Sequence, residues 1–546
     1  MYVRLKTSKH SRHSTLQIVE GIRDGKKVKQ RVVASLGVIN DQQNLKKLLS
    51  LAESLTRKIE EQGFPIPARA ELSKLLHSMT VYDGFGSVVH KLMELTGFDK
   101  IVQSEQGKNT FDLVEAVKLI ITQRFDLPSS KLRTYERQKE HGFGDLDLHQ
   151  IYRAMDAVEP ISLQIQEQAF KTVSANTSQP VDCFFFDVTT LYFESVQQDT
   201  LKDFGFSKDQ KHHSVQIVLA LVVDKEGLPL AYDTFKGNLA ETKTLIPVLK
   251  TLRDRFSVKN VTVVCDRGLA SRGNVQALQE SNFHFVIATK LRALEKKLKI
   301  NDISVFNPLP NQESIPESEK VLVRTLEHPL YADTLLIVTY SPSRAAKDKQ
   351  DREKLLDKLR GKIAEPSDES SVKKVISNSG YKKFTSVKTG SSIVLNEAAI
   401  EADAAWDGFH GIAVANSARL STTEALSRYK ELWRVEETFR IAKSTLRARP
   451  IFHWAPHRIK AHILLCFMTL FCERFLEFLL RKNGMPLTPD KIRYALSQVH
   501  TMHFRDTVTD KLGTMESSLS EDAVKIFTTL GMSAERLTKT AKNCCA

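Results

Sequence analysis

The sequence predicts a mixed α/β fold, in which a sheet carries helices on its faces. Between residues 181 and 290, strand-like and helical patterns follow in the order strand, strand, strand, helix, strand, helix, strand. That order is typical of a mixed sheet covered by helices. Helical patterns dominate much of the chain on both sides of this region, so we expect helical regions to flank the sheet.

The composition indicates a large core and an acidic partner. A chain of 546 residues is long enough for several domains, since one domain usually has ~100–200 residues. Hydrophobic residues make up 41%, which excludes wholesale disorder. Lysine and arginine number 79 against 65 acidic residues, a net charge of +14. This surplus favours nucleic acid as partner, because basic residues displace counterions from phosphates, although basic soluble enzymes also exist.

Cysteine usage and hydropathy point to a cytoplasmic protein. The six cysteines include no pair of C-x-x-C motifs, so a structural zinc site is not expected, and the pattern suits a reducing cytosol. Cys183 and Cys265 lie in apolar runs and are predicted to be buried thiols. The most apolar segment, residues 462–480, is interrupted by Glu473 and Arg474. Its uninterrupted part is shorter than the ~20 residues of a membrane span, so it predicts a buried helix and no membrane partner.

The N-terminal region reads as a basic β-ribbon followed by a helix, residues 1–63. Short strand patterns fill residues 1–36, with a turn at Arg23–Lys26, and residues 41–63 form an amphipathic helical pattern. The ribbon is rich in lysine and arginine. It could lie on DNA phosphates, or it could be a solvated hairpin.

Residues 64–180 are predicted to be a helical region that could bind DNA. The clearest helical pattern spans residues 111–125, and a basic segment follows with Lys131, Arg133 and Arg137. Several short helices with one basic member fit a helix-turn-helix-like DNA reader. A plain helical bundle fits the same pattern.

The rest of the chain divides into four predicted parts. Residues 181–290 form the first part of the core. In residues 291–415 the alternation of strands and helices gives way to short β-like runs and one charged helix at 342–363. We interpret the latter as an inserted, mostly β subdomain. Helical patterns return in residues 416–483, which complete the core, and continue through a helical C-terminal region, residues 484–546.

Two aspartates end apolar strands of the predicted sheet, Asp187 after "CFFF" and Asp266 after "VTVVC". A carboxylate in this position is partly desolvated and needs a partner, for which a divalent cation is one solution. The alternative is an aspartate that caps the next turn, which the Asp-Arg-Gly sequence at Asp266 also fits. Phosphoryl transfer with two metal ions needs a further acid from another part of the chain.

Residues 429–443, "YKELWRVEETFRIAK", supply the candidates for that acid. On one continuous helix, Glu436 lies at the edge of the apolar face, whereas Glu437 points to solvent. The alternative role for Glu436 is a salt bridge to Arg440 at i+4. The apolar face consists of Leu432, Val435, Phe439, Ala442 and Leu446. The row along its flank consists of Tyr429, Trp433, Glu436, Arg440 and Lys443.

These residues resemble the DDE transposases of bacterial insertion sequences, in particular the cut-and-paste group with the Y-R-E-K signature. The signature has a tyrosine, an arginine, a glutamate and a lysine, separated by two, three and six residues. Tyr429, Glu436 and Lys443 match that spacing, and "FFFDVTTLYFES" and "VVCDRGLAS" resemble the strands of the two aspartates. The resemblance spans roughly residues 181–480. Leu432 occupies the arginine position, and Arg440 could supply the missing positive charge.

The resemblance implies an RNase H-like catalytic core. It implies that Asp187, Asp266 and Glu436 are catalytic and hold two Mg²⁺ or Mn²⁺ ions. The DNA substrates would be the terminal inverted repeats of the element and the target DNA, and the protein would act as a homodimer near the bacterial nucleoid. DNA contacts are expected from Tyr429, Trp433, Arg440 and Lys443.

Two other functions fit the same residues. One is a metal-dependent nuclease of the same fold that cleaves DNA without joining it. The other is a DNA-binding protein without transposition activity, against which the presence of all three acids argues. The repeat sequence, the target preference and the use of a hairpin intermediate are not encoded in any pattern of the sequence.

Overall fold

The structure is a computed structural model of the full chain. It describes residues 1–7, 14–24, 27–39, 49, 52–53, 56, 80–107, 109–177, 181–206, 213–256, 261–294, 300–364, 379–387, 393–505 and 512–532. The helix predicted at 41–63 and the C-terminal residues from 533 therefore lie largely or wholly outside the described residues, as do Gly25 and Lys26 of the predicted turn.

Strands and helices are numbered in chain order. The strands are β1 (Tyr2–Thr7), β2 (Ser14–Asp24), β3 (Lys27–Ile39), β4 (Thr80–Asp83), β5 (Cys183–Tyr192), β6 (Gln216–Val223), β7 (Pro229–Lys236), β8 (Thr262–Cys265), β9 (His284–Ala288), β10 (Asn307–Pro308), β11 (Leu322–Glu327), β12 (Thr334–Tyr340), β13 (Thr385–Val387), β14 (Ile393–Leu395), β15 (Phe409–Ala415), β16 (His500–Arg505) and β17 (Leu512–Glu516). The α-helices are α1 (Gly84–Thr96), α2 (Phe98–Ser104), α3 (Leu113–Asp126), α4 (Lys131–Arg137), α5 (Leu148–Val158), α6 (Ser162–Asn176), α7 (Leu245–Phe256), α8 (Arg272–Glu280), α9 (Pro342–Ala364), α10 (Ser379–Lys382), α11 (Glu397–Ala404), α12 (Thr422–Lys430), α13 (Trp433–Arg440), α14 (Pro456–Lys482), α15 (Pro489–Ser497) and α16 (Glu521–Thr529).

The chain folds into two compact units. The first unit comprises Met1–Pro180, Thr189–Asn238 and Glu437–Ala546, and the second comprises Val181–Val188 and Leu239–Glu436. Of the four boundaries, one falls inside β5 and one inside α13, whereas the boundaries before Val181 and after Asn238 lie outside the helices and strands.

The first unit is largely helical. Its long helix α14 packs against α3 and α5, and nearly every side chain from His462 to Phe478 is buried. This confirms the buried helix predicted from residues 462–480. Glu473 and Arg474, which interrupt the apolar run, are buried too. No helix in the described part of the chain combines the length and hydropathy that a membrane span requires.

Small sheets complete the first unit. β1, β2 and β3 form an antiparallel three-stranded sheet at the N-terminus, and β4, β16 and β17 form another. β6 and β7 form an antiparallel hairpin. The predicted N-terminal ribbon is thus confirmed as a sheet whose outward side chains include many cations.

The second unit contains a large mixed sheet with the strand order β10-β11-β12-β15-β9-β8-β5. β5, β8 and β9 are parallel to one another, whereas the strands from β15 to β10 are antiparallel to their neighbours. The parallel strands are almost continuously buried, as expected where helices cover both faces of a sheet. Helices α7 and α8 occupy the predicted positions on either side of β8.

Residues 291–415, predicted to be an inserted, mostly β subdomain, contribute four strands to the large sheet. β15 pairs with β9, so β10, β11, β12 and β15 extend the same sheet instead of forming their own. The physical reason is that β9 presents an edge, and pairing satisfies its backbone groups. The predicted charged helix is present as α9.

Residues 429–443 do not form the single helix that was predicted. α12 ends at Lys430, a turn contains Glu431 and Leu432, and α13 begins at Trp433. Beyond α13, residues Ile441–Thr445 form a π-helix. Helical phase therefore changes twice within the segment, since a π-helix has more residues per turn than an α-helix.

Candidate active site

The two candidate aspartates lie on neighbouring parallel strands. Asp266 directly follows β8, as predicted, whereas Asp187 lies inside β5, which continues to Tyr192 instead of ending at the aspartate. Phe186 of β5 is paired in register with Cys265 of β8, so Asp187 and Asp266 are the next residues of the two strands. Neighbouring strands lie about 4.8 Å apart, and residues in register point to the same face. The register therefore brings the two carboxylates together on one face of the sheet.

The surroundings of the two aspartates fit a shared site. Asp187 is half-buried, whereas Asp266 is exposed and has extended backbone at φ −76° and ψ 164°. The pKa of the buried Cys265 thiol is raised by burial and then by the charges of Asp266 and Asp187. Both carboxylates are thus close enough to act on one atom.

Asp266 does not cap the turn that follows it, which was the alternative interpretation of its position. A 3-10 turn, Arg267–Leu269, begins immediately after it, but the Asp266 side chain makes no capping hydrogen bond. Only its backbone carbonyl takes part, accepting from the Leu269 N–H at 3.0 Å. The carboxylate is therefore left to other partners.

One partner of Asp266 is the first residue of the predicted row. The Tyr429 hydroxyl donates to Asp266 Oδ1 at 3.5 Å. Burial, and then the Asp266 charge, raise the pKa of Tyr429. The hydroxyl consequently keeps its proton at neutral pH and can act as a donor to the carboxylate.

His410 of β15 belongs to the same surroundings and was not predicted. Its ring centroid lies 5.0 Å from that of Tyr429. Burial, and then the positive charge of Arg344, lower the pKa of His410 to about 4, so the ring is neutral at physiological pH. The only sequence signal is a histidine inside an otherwise apolar strand, which by itself is more often structural.

Helix α12 is held firmly where it carries Tyr429. A capping box between Ser421 and Glu424 begins the helix, which stabilises its first turn. Near its end, Arg428 Nη2 donates to Asp182 Oδ2 at 2.9 Å. The helix also packs against β8 and β9, so the tyrosine is presented from a rigid element.

Glu436 and Glu437, neighbours on α13, have different surroundings. Glu436 is exposed and makes no hydrogen bond or ion pair with any residue that the structure describes, including Arg440. Glu437 is half-buried, and its carboxylate lies 3.4 Å from Arg474 and 3.6 Å from Arg440. The prediction that Glu437 faces solvent is therefore wrong, because Arg474 of α14 lies against that side of α13. The alternative role of Glu436, a salt bridge to Arg440, is not seen among the described residues, since Arg440 lies beside Glu437.

The remaining residues of the predicted row are accessible to different degrees. Trp433 is 50% exposed, with the Arg434 guanidinium 5.1 Å from the centroid of its ring. Arg440, in the first unit, is exposed, and Lys443 is half-buried on the π-helix. Leu432 is buried, as the apolar face predicts, so no cation stands at that position.

A second group of possible metal ligands lies in the first unit but already has partners. It consists of Asp83, Asp126 and His141. His141 bonds Asp83 at 2.6 Å and Gln123 at 3.1 Å. The guanidinium of the buried Arg137 lies 2.9 Å from Asp126 and neutralises it. We interpret this group as an internal charge network.

The predicted basic helix of the first unit does not present all its cations to a partner. In α4, Lys131 and Arg137 are both buried, and the exposed Arg133 is paired with Glu136 at 3.1 Å. This arrangement favours the helical-bundle interpretation over a basic DNA-reading face.

Comparisons with known proteins bear on the chain as a whole. A family model described as a transposase DDE domain matches residues 179–472, more than half of the chain. A second, described as the N-terminal domain of IS1634 family transposases, matches residues 3–68. No curated protein matches the sequence significantly.

Among solved structures, the chain is similar to that of a piggyBac transposase synaptic complex with hairpin DNA, determined by cryo-EM. The two share 8% identity over 75% of this chain and 77% of that chain, with a TM-score of 0.37. A likeness at this level supports no statement about fold or activity. Asp187, Asp266 and Glu436 all fall within the residues that match the DDE domain.

Proposed function

Because the chain belongs to the DDE transposases of bacterial insertion sequences, we propose that Asp187, Asp266 and Glu436 are its catalytic acids. The family cleaves DNA and transfers strands with the help of divalent metal ions. The observation that carries the assignment is the parallel register of Phe186 with Cys265, which sets the two aspartates side by side.

The third acid is assigned by its lack of protein partners. Glu436 has no partner among the described residues, whereas the adjacent Glu437 is held by Arg474. A carboxylate already neutralised by a half-buried ion pair is a poor metal ligand, since the metal would have to displace the arginine. Glu436 is exposed and belongs to the same unit as both aspartates, so its oxygen atoms are available.

The donor set fits a hard divalent cation. Three carboxylates offer the oxygen ligands that Mg²⁺ prefers, and two of them are close enough to repel each other without a cation between them. Bound Mg²⁺ or Mn²⁺, two ions in our proposal, would activate the attacking oxygen and stabilise the leaving oxygen. The protein residues hold these carboxylates in place, with Tyr429 orienting Asp266 through its hydroxyl.

The fold of the core is proposed to be RNase H-like. In chain order, β5 is followed by the antiparallel β6–β7 hairpin, then by β8 and β9, both parallel to β5 and separated by α8. This sequence of strands is consistent with the fold that the family implies. It places the two aspartates at corresponding positions of adjacent strands.

The DNA contacts and the assembly are further proposals. Trp433 and Arg440 are exposed enough to reach DNA, and Lys443 and Tyr429 match the signature positions that touch the cleaved end in the family. We propose that the substrate is the terminal inverted repeat of the element, cut and then joined to target DNA. Two copies of the chain are expected to act on paired ends.

The assignment is tested by three single substitutions, Asp187→Ala, Asp266→Ala and Glu436→Gln. Each is expected to lower metal-dependent cleavage of a labelled element end by at least 10³-fold. Binding of the same DNA, measured by gel shift, is expected to stay within a few-fold. Iron-mediated hydroxyl-radical cleavage of the protein locates the metal directly and is expected to be lost in the same variants.

Glu437→Gln is the matched control for Glu436→Gln. It removes the charge of the residue adjacent to Glu436 on the same helix. We expect DNA cleavage to persist, whereas the melting temperature should fall because Arg474 loses one partner. Cleavage lost in Glu437→Gln but retained in Glu436→Gln would reverse the assignment. Cleavage retained in both aspartate variants would refute it.

A further inference from the structure

Two large aromatic side chains project from the segment that follows the glutamate helix in the chain. Phe452 is 72% exposed and Trp454 is 64% exposed. Exposed apolar surface that is contiguous marks interaction sites on soluble proteins, and two such side chains two residues apart supply a surface of this kind. The segment lies wholly in the first unit.

The residues between and before these aromatics anchor the segment. Ile451 is buried, bridges to Phe193 and donates its N–H to the Tyr192 carbonyl at 3.2 Å. His453 turns inward, with its ring centroid 5.3 Å from that of the buried His462. Burial therefore alternates along the segment, as in an extended strand, and fixes which side chains point outward.

Lys202 contacts both the ring and the backbone carbonyl of Trp454. Lys202 is almost fully buried, its Nζ lies 5.5 Å from the centroid of the Trp454 ring, and it donates to the Trp454 carbonyl at 3.3 Å. Asp199 completes the arrangement with an ion pair to Lys202 at 3.3 Å. The ring is thus preorganised, which lowers the entropy cost of stacking on it.

The alternation of inward and outward side chains predicts a spacing of the two aromatics that suits one nucleobase. Residues two apart on extended backbone are about 6.6 Å apart. A base stacked between two rings needs about twice the 3.4 Å spacing of stacked nucleotides. Base stacking on aromatic side chains is tolerant of sequence and is the usual way to hold unpaired nucleotides.

The charge of the segment favours DNA over a second copy of the chain. No acidic residue occurs between Thr438 and Cys472, a stretch that contains six lysines and arginines. Of these, Arg447 precedes and Lys460 follows the aromatics in the chain, and both are exposed, whereas Arg458 is paired with Asp156 at 2.9 Å. A two-fold contact between copies would set these cations against each other, whereas phosphates would neutralise them.

We propose that Phe452 and Trp454 form a binding site for an unpaired nucleotide of the DNA, clamped between the two rings and flanked by cations. The site is additional to the three acids and to Trp433. It rests on DNA being the substrate and not on the assignment of the catalytic acids, because it concerns binding and not cleavage.

The test measures binding without metal, using full-length protein with EDTA. The probe is a single-stranded oligothymidine 15-mer that carries one 2-aminopurine, whose fluorescence falls when it stacks. Phe452→Ala/Trp454→Ala is expected to weaken binding of this probe about tenfold or more and to abolish the quenching. Affinity for blunt duplex is expected to change less than twofold.

Tyr494→Ala is the matched control, since Tyr494 is an aromatic residue of the same unit with 67% exposure. It is expected to leave affinity and quenching unchanged. Conservative exchange of the rings, Phe452→Trp/Trp454→Phe, should preserve binding, since either ring offers a stacking face.

A second measurement keeps both aromatics in place. In Trp406→Phe/Trp433→Phe, Trp454 is the remaining tryptophan of the chain, and its emission should fall when the oligothymidine is added. Unchanged emission and unchanged affinity of the double alanine variant would overturn the proposal. So would a double variant that binds the probe normally but loses self-association in sedimentation velocity, because the surface would then join copies of the chain.

Discussion

At the residue scale, the contrast between Glu436 and Glu437 shows how a buried charge selects its partner. Arg474 is 7% exposed, so its charge must be compensated inside the protein. Glu477 at 2.6 Å and Glu437 at 3.4 Å provide that compensation. Burial raises the pKa of Glu477 to about 7, which makes Glu437 the more reliably charged partner. One glutamate is thereby committed to structure, and the other is available for the catalytic role that we propose.

Lys131 shows the opposite situation, a buried cation without an acid. It is 6% exposed, and within the described part of the chain no carboxylate pairs with it. Burial, and then the positive charge of Arg124, lower its pKa to about 7, while Cys466 acts weakly in the other direction. Keeping the amine uncharged while the unfolded chain is charged costs stability.

We predict that Lys131→Met stabilises the protein in a pH-dependent way. The folded protein binds fewer protons than the unfolded chain between pH 7 and about 10.5, so stability of the wild type rises with pH there. The variant lacks this cost, so its free energy of unfolding at pH 7 is expected to be higher by on the order of 2 kcal/mol or more. The difference from the wild type should shrink as the pH approaches 10.5. Urea unfolding at several pH values measures it.

Lys139→Met is the control for this prediction. Lys139 is 67% exposed and lies next to Asp145, so its removal should change stability little at any pH. A gain for Lys131→Met that is constant from pH 7 to pH 10 would show that packing, and not titration, is responsible.

At the scale of elements, one hairpin turn joins two helices of the first unit. Gly227, between β6 and β7, has φ +79°, and its carbonyl accepts from Thr438 of α13 at 3.3 Å and from Arg474 of α14 at 3.4 Å. The Asp224 side chain closes the turn by accepting from the Glu226 and Leu228 N–H groups. The turn thus fixes the part of α13 that begins directly after Glu436.

We predict that Gly227→Ala destabilises the protein more than backbone strain alone explains. A Cβ at Gly227 would lie 2.6 Å from Arg474 Nη2, so the arginine would have to move from its acidic partners. We expect a loss of about 2–4 kcal/mol in the free energy of unfolding, measured by urea titration.

Gly484→Ala is the control that separates the cost of backbone strain from the cost of displacing Arg474. Gly484 has nearly the same backbone, φ +72°, but nothing lies within 4 Å of its would-be Cβ. It should cost only about 1 kcal/mol. Equal losses in the two variants would mean that the contact with Arg474 contributes nothing.

At the scale of the whole molecule, the net charge of the chain and its family both indicate binding to DNA. The chain carries a net charge of +14 and belongs to a family that acts on DNA. Part of this charge lies on the outward side chains of the N-terminal sheet, where Lys6, Arg23 and Lys29 are exposed. The same residues fall within the match to the IS1634 family transposase N-terminal domain.

We predict that Lys6→Gln/Arg23→Gln/Lys29→Gln lowers the salt dependence of DNA binding. Each phosphate contact contributes about 0.9 to the slope of log K against log salt concentration. The slope for duplex DNA should therefore fall by up to about three in fluorescence anisotropy titrations.

A triple variant of α9 with the same change in net charge is the control, Lys349→Gln/Lys354→Gln/Lys358→Gln. These lysines are exposed on a helix of the second unit. If both triple variants change the slope equally, net charge and not the N-terminal sheet determines the effect.

The sequence alone determined the features that depend on local pattern. Continuous apolar runs located β5, β8, β9 and the buried helix α14, because the hydropathy of a run is a property of neighbouring residues. The aspartates after two apolar runs and the spacing of Tyr429, Glu436 and Lys443 indicated the family, which the match to residues 179–472 confirmed.

Only the tertiary structure decided what depends on distant parts of the chain. The break at Glu431 and Leu432 and the π-helix after α13 interrupt the continuous helix that periodicity predicts. Within α13, Glu437 contacts Arg474 of a distant helix instead of solvent. The extension of the sheet by β15 and the outward turn of Phe452 and Trp454 have the same origin. Each follows from a pairing partner that lies far away in sequence, and periodicity holds no information about such partners.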